Sequence, residues 1–215
     1  MSRAEPVRKL TPNQQARRAR ILDAARRLVA EHGYEGMIMR DVAHLANVSP
    51  TTLYNLYNTK DELVLEALRE SMADSWISAE QTTELGFDRL LTQVSHSVAQ
   101  TQEGSAYAKA ITQALLRANG ADPLVKVLIN RNAKAVTSSL QAMQAQNQLV
   151  GAIDINRLAL DLVGVFWSNY MLWSKDIVAL DQLELNLKRA YLSYLQPVTQ
   201  GALHEHIKQH LSSLV

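Results

Sequence analysis

The stretch SPTTLYNLYNTKDEL, Ser49–Leu63, predicts a short helix that is followed at once by the start of another. The hydroxyl of Ser49 can cap the first helix, and Pro50 suits its first position because a proline nitrogen has no hydrogen to leave unpaired. Thr59 and Glu62 have the spacing of a capping box, which begins the next helix. The larger apolar side chains recur at three- and four-residue spacing, which predicts that they pack the short helix against its neighbours: Leu53, Leu56 and Tyr57.

Two more helices are predicted before this one. The run Thr11-Pro12-Asn13-Gln14 has a capping hydroxyl, a proline at the first helical position and a glutamine three residues after the cap. The helix that it starts carries an apolar stripe and ends at Gly33. A second helix covers about residues 39–46 and ends at Asn47, a residue type that tolerates positive φ. Because only about three residues separate it from the helix after Ser49, the pair has the spacing of a helix-turn-helix.

Basic charge is concentrated near the start of the chain. The whole chain has 22 Lys and Arg against 21 Asp and Glu, yet residues 1–60 hold ten of the basic and five of the acidic side chains. A basic segment on an acidic body predicts that the first part meets a polyanion, although a solvated charged face is the alternative. Arg3, Arg8 and Lys9 precede the first cap, so we expect a basic arm that could enter a minor groove of DNA.

The outward side chains of the short helix suit a DNA major groove. Thr51 can contact a thymine methyl or an acceptor, and Asn55 can pair with adenine. Tyr54 and Lys60 are better suited to phosphates, as is the amino end of the next helix. A small helical module with a merely polar surface is the alternative. The predicted DNA-binding residues are Arg40, Ser49, Pro50, Thr51, Thr52, Tyr54, Asn55 and Lys60.

The segment Ile21–Leu68 closely resembles the DNA-binding segment of TetR-family transcriptional regulators. The resemblance is carried by short motifs at matching positions: Ala24-Ala25, Gly33-Tyr34, Arg40-Asp41-Val42-Ala43, Val48-Ser49, Leu53-Tyr54, Tyr57, Lys60 and Glu62-Leu63. Three positions depart from the family pattern. Hydroxyl residues are usual where this chain has Met37-Ile38-Met39, phenylalanine is common at Tyr57, and a His-Tyr pair is frequent at Asn55-Leu56. The usual side-chain cap is therefore not expected on the second helix, and the base preference should differ.

The rest of the chain reads as helices separated by breakers, without strand-like alternation. The predicted fold is all-α, with an N-terminal helix-turn-helix domain over residues 1–62 and a larger helical domain over 63–215. Helices are expected at about 61–81, 87–101, 106–119, 123–148, 155–174, 181–196 and 199–214. The resemblance implies that the larger domain binds a small effector and dimerises through its last two long helices.

Two sets of residues in the larger domain are predicted to carry those roles. The helix over 155–174 is apolar around most of its circumference, and Gly164 would allow another helix to approach closely. A central core helix in a monomer is the alternative. The predicted dimer interface contains Leu158, Leu162, Gly164, Val165, Leu187 and Tyr191. Aromatic and sulfur-containing side chains could line an effector cavity, or fill the core instead: Trp76, Tyr107, Met143, Trp167 and Tyr170.

Several function classes find no support in the sequence. The chain has no cysteine, and it has no nucleophile-elbow, phosphate-loop or zinc-protease motif, so no enzyme, metal or cofactor is predicted. Of the histidines in the tail, only His206 and His210 share a helix face, which favours a solvated helix over a metal site. Residues 1–15 lack a leader pattern, so a cytoplasmic location is expected.

The predicted function is a homodimeric repressor that binds a palindromic operator in double-stranded DNA and is released by a small-molecule effector. An architectural or adaptor protein, which senses no small ligand or responds to a protein partner, is the alternative from a different class. A cavity lined by the predicted aromatics, rather than a filled core, would favour the repressor.

Overall fold

The computed structural model describes residues 10–82, 84–151 and 153–213, and only the backbone within 72–82. The basic arm at Arg3, Arg8 and Lys9 lies outside the described residues. Ten α-helices occur in the described part, together with a short 3-10 turn over Gln196–Val198: α1 Pro12–Gly36, α2 Met39–Leu45, α3 Pro50–Leu56, α4 Lys60–Thr82, α5 Phe87–Glu103, α6 Ser105–Arg117, α7 Pro123–Ala145, α8 Ile155–Ser174, α9 Leu180–Leu195 and α10 Gly201–Ser213. The all-α prediction is confirmed, and most helix ends lie within three residues of their predicted positions.

The first helix begins and breaks where its sequence indicates. The Thr11 side chain accepts from the backbone N–H of Gln14, and the Gln14 side chain accepts from the backbone N–H of Thr11, which completes the capping box. Gly33 has φ +74° and interrupts the helical backbone. Because this conformation is strained for a residue with a Cβ, the glycine lets the chain turn before α2.

The described side chains form two hydrophobic cores. The first joins α1, α2, α3 and the first turns of α4 with the apolar faces of α6 and α7, through Ile111, Leu115, Leu124 and Leu128. The second fills the space between α5, α7, α8, α9 and α10. Since α6 and α7 share a core with α1, the helix-turn-helix unit is packed directly on the larger part of the chain. The predicted division at residue 62 stays a prediction.

Within the described residues, no helix is long and apolar enough to cross a bilayer.

Candidate DNA-binding surface and body cavity

The turn between α2 and α3 is built by the backbone. Asn47 adopts φ +52°, and the N–H of Val48 donates to the carbonyl of Ala43 at 2.9 Å. Leu53 is fully buried and fixes α3 against α1 and α2. Tyr57 is only half-buried at the end of α3. The prediction that Leu56 packs inward is corrected, because its side chain is 47% exposed at the edge of the short helix.

The start of α3 is held by a small hydroxyl network. Ser49 Oγ accepts from the backbone N–H of Thr52 at 3.1 Å, and it lies 2.8 Å from Thr52 Oγ1. Both hydroxyls therefore already have a structural partner, and Thr52 is half-buried. That Ser49 and Thr52 contact DNA stays a prediction.

Four predicted DNA-binding residues lie together on the exposed side of α3: Pro50, Thr51, Tyr54 and Asn55. Arg40 is exposed near the start of α2. The N-cap of α2 is Ile38, whose side chain makes no capping hydrogen bond, as the departure from the family pattern predicts. Met37 and Met39 are buried on either side of it, so this position is used for packing.

Lys60 is tied to the end of α1. Its Nζ donates to the carbonyl of Glu35 at 2.9 Å and lies 5.0 Å from the centre of the Tyr34 ring. The hydroxyl of Tyr34 donates to Asp61 Oδ1. Burial, and to a smaller extent this hydrogen bond, raises the pKa of the Tyr34 hydroxyl. The ammonium keeps donors beyond the one that Glu35 uses, so a phosphate contact from Lys60 stays a prediction.

A cavity of about 710 Å³ lies beside the helix-turn-helix unit, between α1 and the helices of the larger core. Its walls come from α1 and from α4 to α9. Three of the predicted effector residues line it: Tyr107, Trp167 and Tyr170. Met143 is not among the wall residues and lies fully buried in the second core, so its assignment is corrected. The side chain of Trp76 lies outside the described residues.

Two buried polar atoms of residues that line the cavity have no hydrogen-bond partner among the described residues. They are the hydroxyl oxygen of Tyr107 and Nε1 of Trp167, and both are inaccessible to solvent. Tyr170 differs, because its oxygen lies 3.0 Å from Thr101 Oγ1. The hydrogen of Thr101 is donated to Ser97 O, so Tyr170 is the donor in this pair. Burial raises the pKa of both tyrosine hydroxyls, and each is therefore neutral at physiological pH.

The cavity wall contains the end of an ion-pair network between α1 and α4. Arg26, a wall residue, donates from Nη1 to Glu70 Oε2 at 2.8 Å. The other oxygen of Glu70 accepts from Arg18 Nη1 at 2.9 Å, and Arg18 Nη2 lies 2.6 Å from Glu66 Oε1. Tyr57 lies next to Arg18 at the other end of the network. Burial raises the pKa of the Tyr57 hydroxyl, and the neighbouring Arg18 guanidinium opposes that shift. The network thus runs from the cavity to the end of α3.

Sequence reasoning missed this network, although the spacing contains a signal for it. Arg18 and Arg26 are eight residues apart on one face of α1, and Glu66 and Glu70 are four apart on one face of α4. Complementary charges on adjacent helices could have indicated a contact. The contribution of α1 to the cavity leaves no comparable signal, because its side chains look like those of any solvated helix face.

The predicted dimer residues divide into two groups. Leu158, Leu162, Leu187 and Tyr191 are buried inside the protomer, so they have no surface for a second copy and their assignment is corrected. Gly164 is exposed, and a Cβ built on it would meet no atom within 4 Å. Val165 is half-buried at the edge of the same face. Because the helix is apolar around most of its circumference, its sequence alone does not distinguish the face turned to the core from the face left open.

The tail histidines do not gather metal ligands. His206 and His210 have ring centres 6.0 Å apart, and His206 packs edge-on against Phe87. Among the residues that the structure describes, no group of three His, Cys, Asp or Glu could hold a metal ion.

Comparison with known proteins agrees with the helix-turn-helix geometry. Residues 21–67 match the family model of bacterial regulatory proteins, tetR family. The HTH-type transcriptional repressor KstR of Rhodococcus jostii is 46% identical over 55 residues, which are 26% of this chain and 26% of that protein. KstR of Mycolicibacterium smegmatis is 44% identical over a segment of the same length. The chain thus matches about a quarter of the length of these curated relatives.

Solved structures share the fold over most of the chain. SmeT, the repressor of the Stenotrophomonas maltophilia multidrug efflux pump SmeDEF, superposes with a TM-score of 0.70 at 16% identity, over 86% of this chain and 92% of that one. FadR of Thermus thermophilus, a transcriptional repressor in complex with lauroyl-CoA, superposes with a TM-score of 0.62 at 18% identity, over 86% and 97%. Residues 21–67 therefore form a helix-turn-helix segment of the tetR family of bacterial regulatory proteins, and the chain as a whole shares its fold with solved regulators of that family.

Proposed function

We propose that the chain is a homodimeric repressor, which binds a palindromic operator through α3 and is released when a small molecule enters the cavity. The observation that carries this proposal is that one helix, α1, both supports the recognition helix and forms part of the cavity wall. A ligand that changes the position of α1 therefore changes the support of α3. Such a protein would work in the cytoplasm, where bacterial DNA lies.

DNA binding by α3 is supported by its shape and surroundings. The helix is short, its inner side is fixed by Leu53, and its outer side presents small polar groups beside Tyr54. A helix of this kind fits the major groove, where hydroxyl and amide groups read base edges. One such helix offers few contacts, so specific affinity requires two copies that reach successive major grooves about 34 Å apart.

A second copy of this chain is the partner that fits the outer face of α8. Leu160 is 59% exposed and Met171 is 37% exposed, and with Gly164 they follow one another on a single face of the helix. The absence of a side chain at Gly164 lets another helix come close. Leu185, 40% exposed on α9, continues the apolar surface. The proposed interface is therefore this outer face, rather than the buried residues predicted from the sequence.

Release by an effector is supported by the cavity and by the ion pairs beside it. A volume of about 710 Å³ lies within the usual range of small-molecule sites, roughly 300–1,000 Å³. The related Thermus thermophilus FadR holds lauroyl-CoA, which supports a ligand role for the same fold. A ligand that displaces Arg26 would loosen Glu70 and then Arg18, next to Tyr57 at the end of α3. The ligand can lower DNA affinity at most by the ratio of its own affinities for the DNA-free and the DNA-bound state.

The alternative, an architectural or adaptor protein without a small ligand, is less well supported. Such a protein has no need of a large cavity beside its DNA-binding unit. The cavity of about 710 Å³ next to α1 therefore favours a ligand-binding protein.

Sequencing of the genomic DNA fragments that the purified full chain retains would test the proposal. We expect the retained fragments to share an inverted repeat, and we expect affinity for it to fall steeply with salt. Salt-dependent binding without any shared sequence would support the architectural alternative instead. Retention of no DNA at all would contradict both.

A further inference from the structure

One helix of the cavity wall carries an amide where an apolar side chain is expected, and the inference from it rests on the proposed function. On α7, the residues that face the two cores follow one another at four-residue spacing. Leu124, Leu128, Val136 and Leu140 belong to this row, and none of them is more than 6% exposed. Asn132 takes the middle position of the row, where it is half-buried and lines the cavity.

The Asn132 amide is both unpaired and accessible. Its side chain makes no hydrogen bond to any residue that the structure describes. Unlike the enclosed atoms of Tyr107 and Trp167, its oxygen and nitrogen are not sealed off by surrounding protein. An amide on an otherwise apolar row is costly unless it finds a partner, and a ligand in the cavity can supply one. The amide offers two donors and one acceptor oxygen, so it pairs with a group that has either or both.

A second wall of the cavity also presents uncharged polar groups. Gln93, Ser97 and Gln100 lie on one face of α5 at four- and three-residue spacing, and all three line the cavity. Gln100 donates to the carbonyl of Ser71. The side chains of Gln93 and Ser97 are half-buried and have no hydrogen-bond partner in the described part of the chain. The polar part of this wall is therefore amide and hydroxyl rather than ionic.

The charged residues of the wall balance one another. Two are basic and two are acidic: Arg26, Arg27, Asp23 and Glu103. Arg26 is already paired with Glu70 at 2.8 Å, and the other three are exposed, so water screens them. An ionic ligand would lose hydration on entering the cavity without meeting an excess of opposite charge, and this loss is costly.

We infer that the effector is an uncharged molecule, with an apolar body and a neutral hydrogen-bonding group such as an amide or a hydroxyl, and that Asn132 binds this group. The body packs on the aromatic part of the wall, where Phe166 stacks on Tyr170 with ring centres 4.6 Å apart. The amide of Asn132 thus selects ligands by their polar group, and the balanced charges of the wall disfavour ions.

Four probes of nearly equal shape test the inference by isothermal titration calorimetry with the full chain. At neutral pH 2-naphthamide is uncharged, 2-naphthoate is negative and 2-naphthamidinium is positive, while 2-isopropenylnaphthalene has no hydrogen-bonding group. We expect 2-naphthamide to bind the wild-type chain at least ~10-fold more tightly than either ion. Asn132→Leu should weaken its binding about 3- to 10-fold, the contribution of one hydrogen bond, and should leave the affinity for the hydrocarbon unchanged.

Asn130→Leu is the matched control, because Asn130 is exposed on the same helix and does not line the cavity. Asn132→Ala, which cannot fill the cavity, should show the same selective loss as Asn132→Leu. Binding of either ion as tight as that of 2-naphthamide would overturn the uncharged class and leave the effector cavity in place. Equal 2-naphthamide affinities of the Asn130 and Asn132 variants would overturn the role of Asn132. If none of the four probes binds the wild-type chain, the inference and the effector part of the proposed function both fail.

Discussion

Glu70 joins two arginines of α1, so its charge should matter for both stability and coupling. Its two oxygens accept from Arg18 and Arg26 at 2.9 and 2.8 Å, and the three side chains are between 26% and 33% exposed. Glu70→Gln keeps the size of the side chain but leaves two guanidinium groups without their shared counter-charge. Surface ion pairs contribute up to ~1 kcal/mol each, so the loss of two such pairs should lower the free energy of unfolding by about 1–2 kcal/mol.

Urea unfolding at one fixed protein concentration measures this change, because the stability of a dimer depends on concentration. Glu184→Gln on α9 is the matched control, since it removes only one partly exposed pair, with Lys188 at 2.6 Å, and should cost less. A double-mutant cycle with Arg26→Gln should give a coupling energy of ~0.5–1 kcal/mol. A Glu70→Gln variant as stable as the wild type, with no coupling to Arg26, would refute the network as a connection between α1 and α4.

Three further outcomes are expected. Gly164→Arg should give a folded but monomeric chain that binds DNA weakly: the protomer has room for the side chain, whereas a second copy against α8 would not. Circular dichroism checks the folding and sedimentation checks the monomer. Gly120→Arg, equally open but outside α8, should remain a dimer. Tyr54→Ala should weaken binding to every duplex, whereas Thr51→Ala should mainly relax base preference in competition titrations; the reverse pattern would contradict the assignment on α3. A hydrogen bond from Lys188, and then one from Ser95, lowers the pKa of Glu184, so its stabilisation should be present at neutral pH and disappear as pH falls through the folded-state pKa. Urea unfolding of wild type and Glu184→Gln should therefore differ at pH 7, and the difference should shrink steadily as the pH is lowered into the acid range.

Local signals were enough to predict the helix-turn-helix unit. The caps at Thr11 and Ser49 and the left-handed residues Gly33 and Asn47 act through neighbouring atoms, so their spacing in the sequence determines the local structure. Leu56 shows the limit of such reasoning. Its spacing from Leu53 fits an inward face, yet a helix of two turns has too few residues for periodicity to separate its inner side from its edge.

The cavity and the outer face of α8 could not be predicted to the same depth. Leu162 and Gly164 are both suitable for a helix contact, and only the packing of α5, α7 and α9 decides which of them is already covered. Met143 and Tyr107 are likewise equivalent as sequence features. The difference between a filled core and a cavity depends on how closely the surrounding helices approach, which involves residues far apart in the chain.

The central claim is that two copies of α3 read one operator together. Sedimentation velocity with a fluorescent duplex that contains the retained inverted repeat gives the number of protomers bound, and a duplex with only one half-site is the control. We predict two protomers on the full repeat, half-site centres about one helical turn or a multiple of it apart, and binding to the single half-site at least ~100-fold weaker. A single protomer bound to the half-site with the full affinity would contradict the claim.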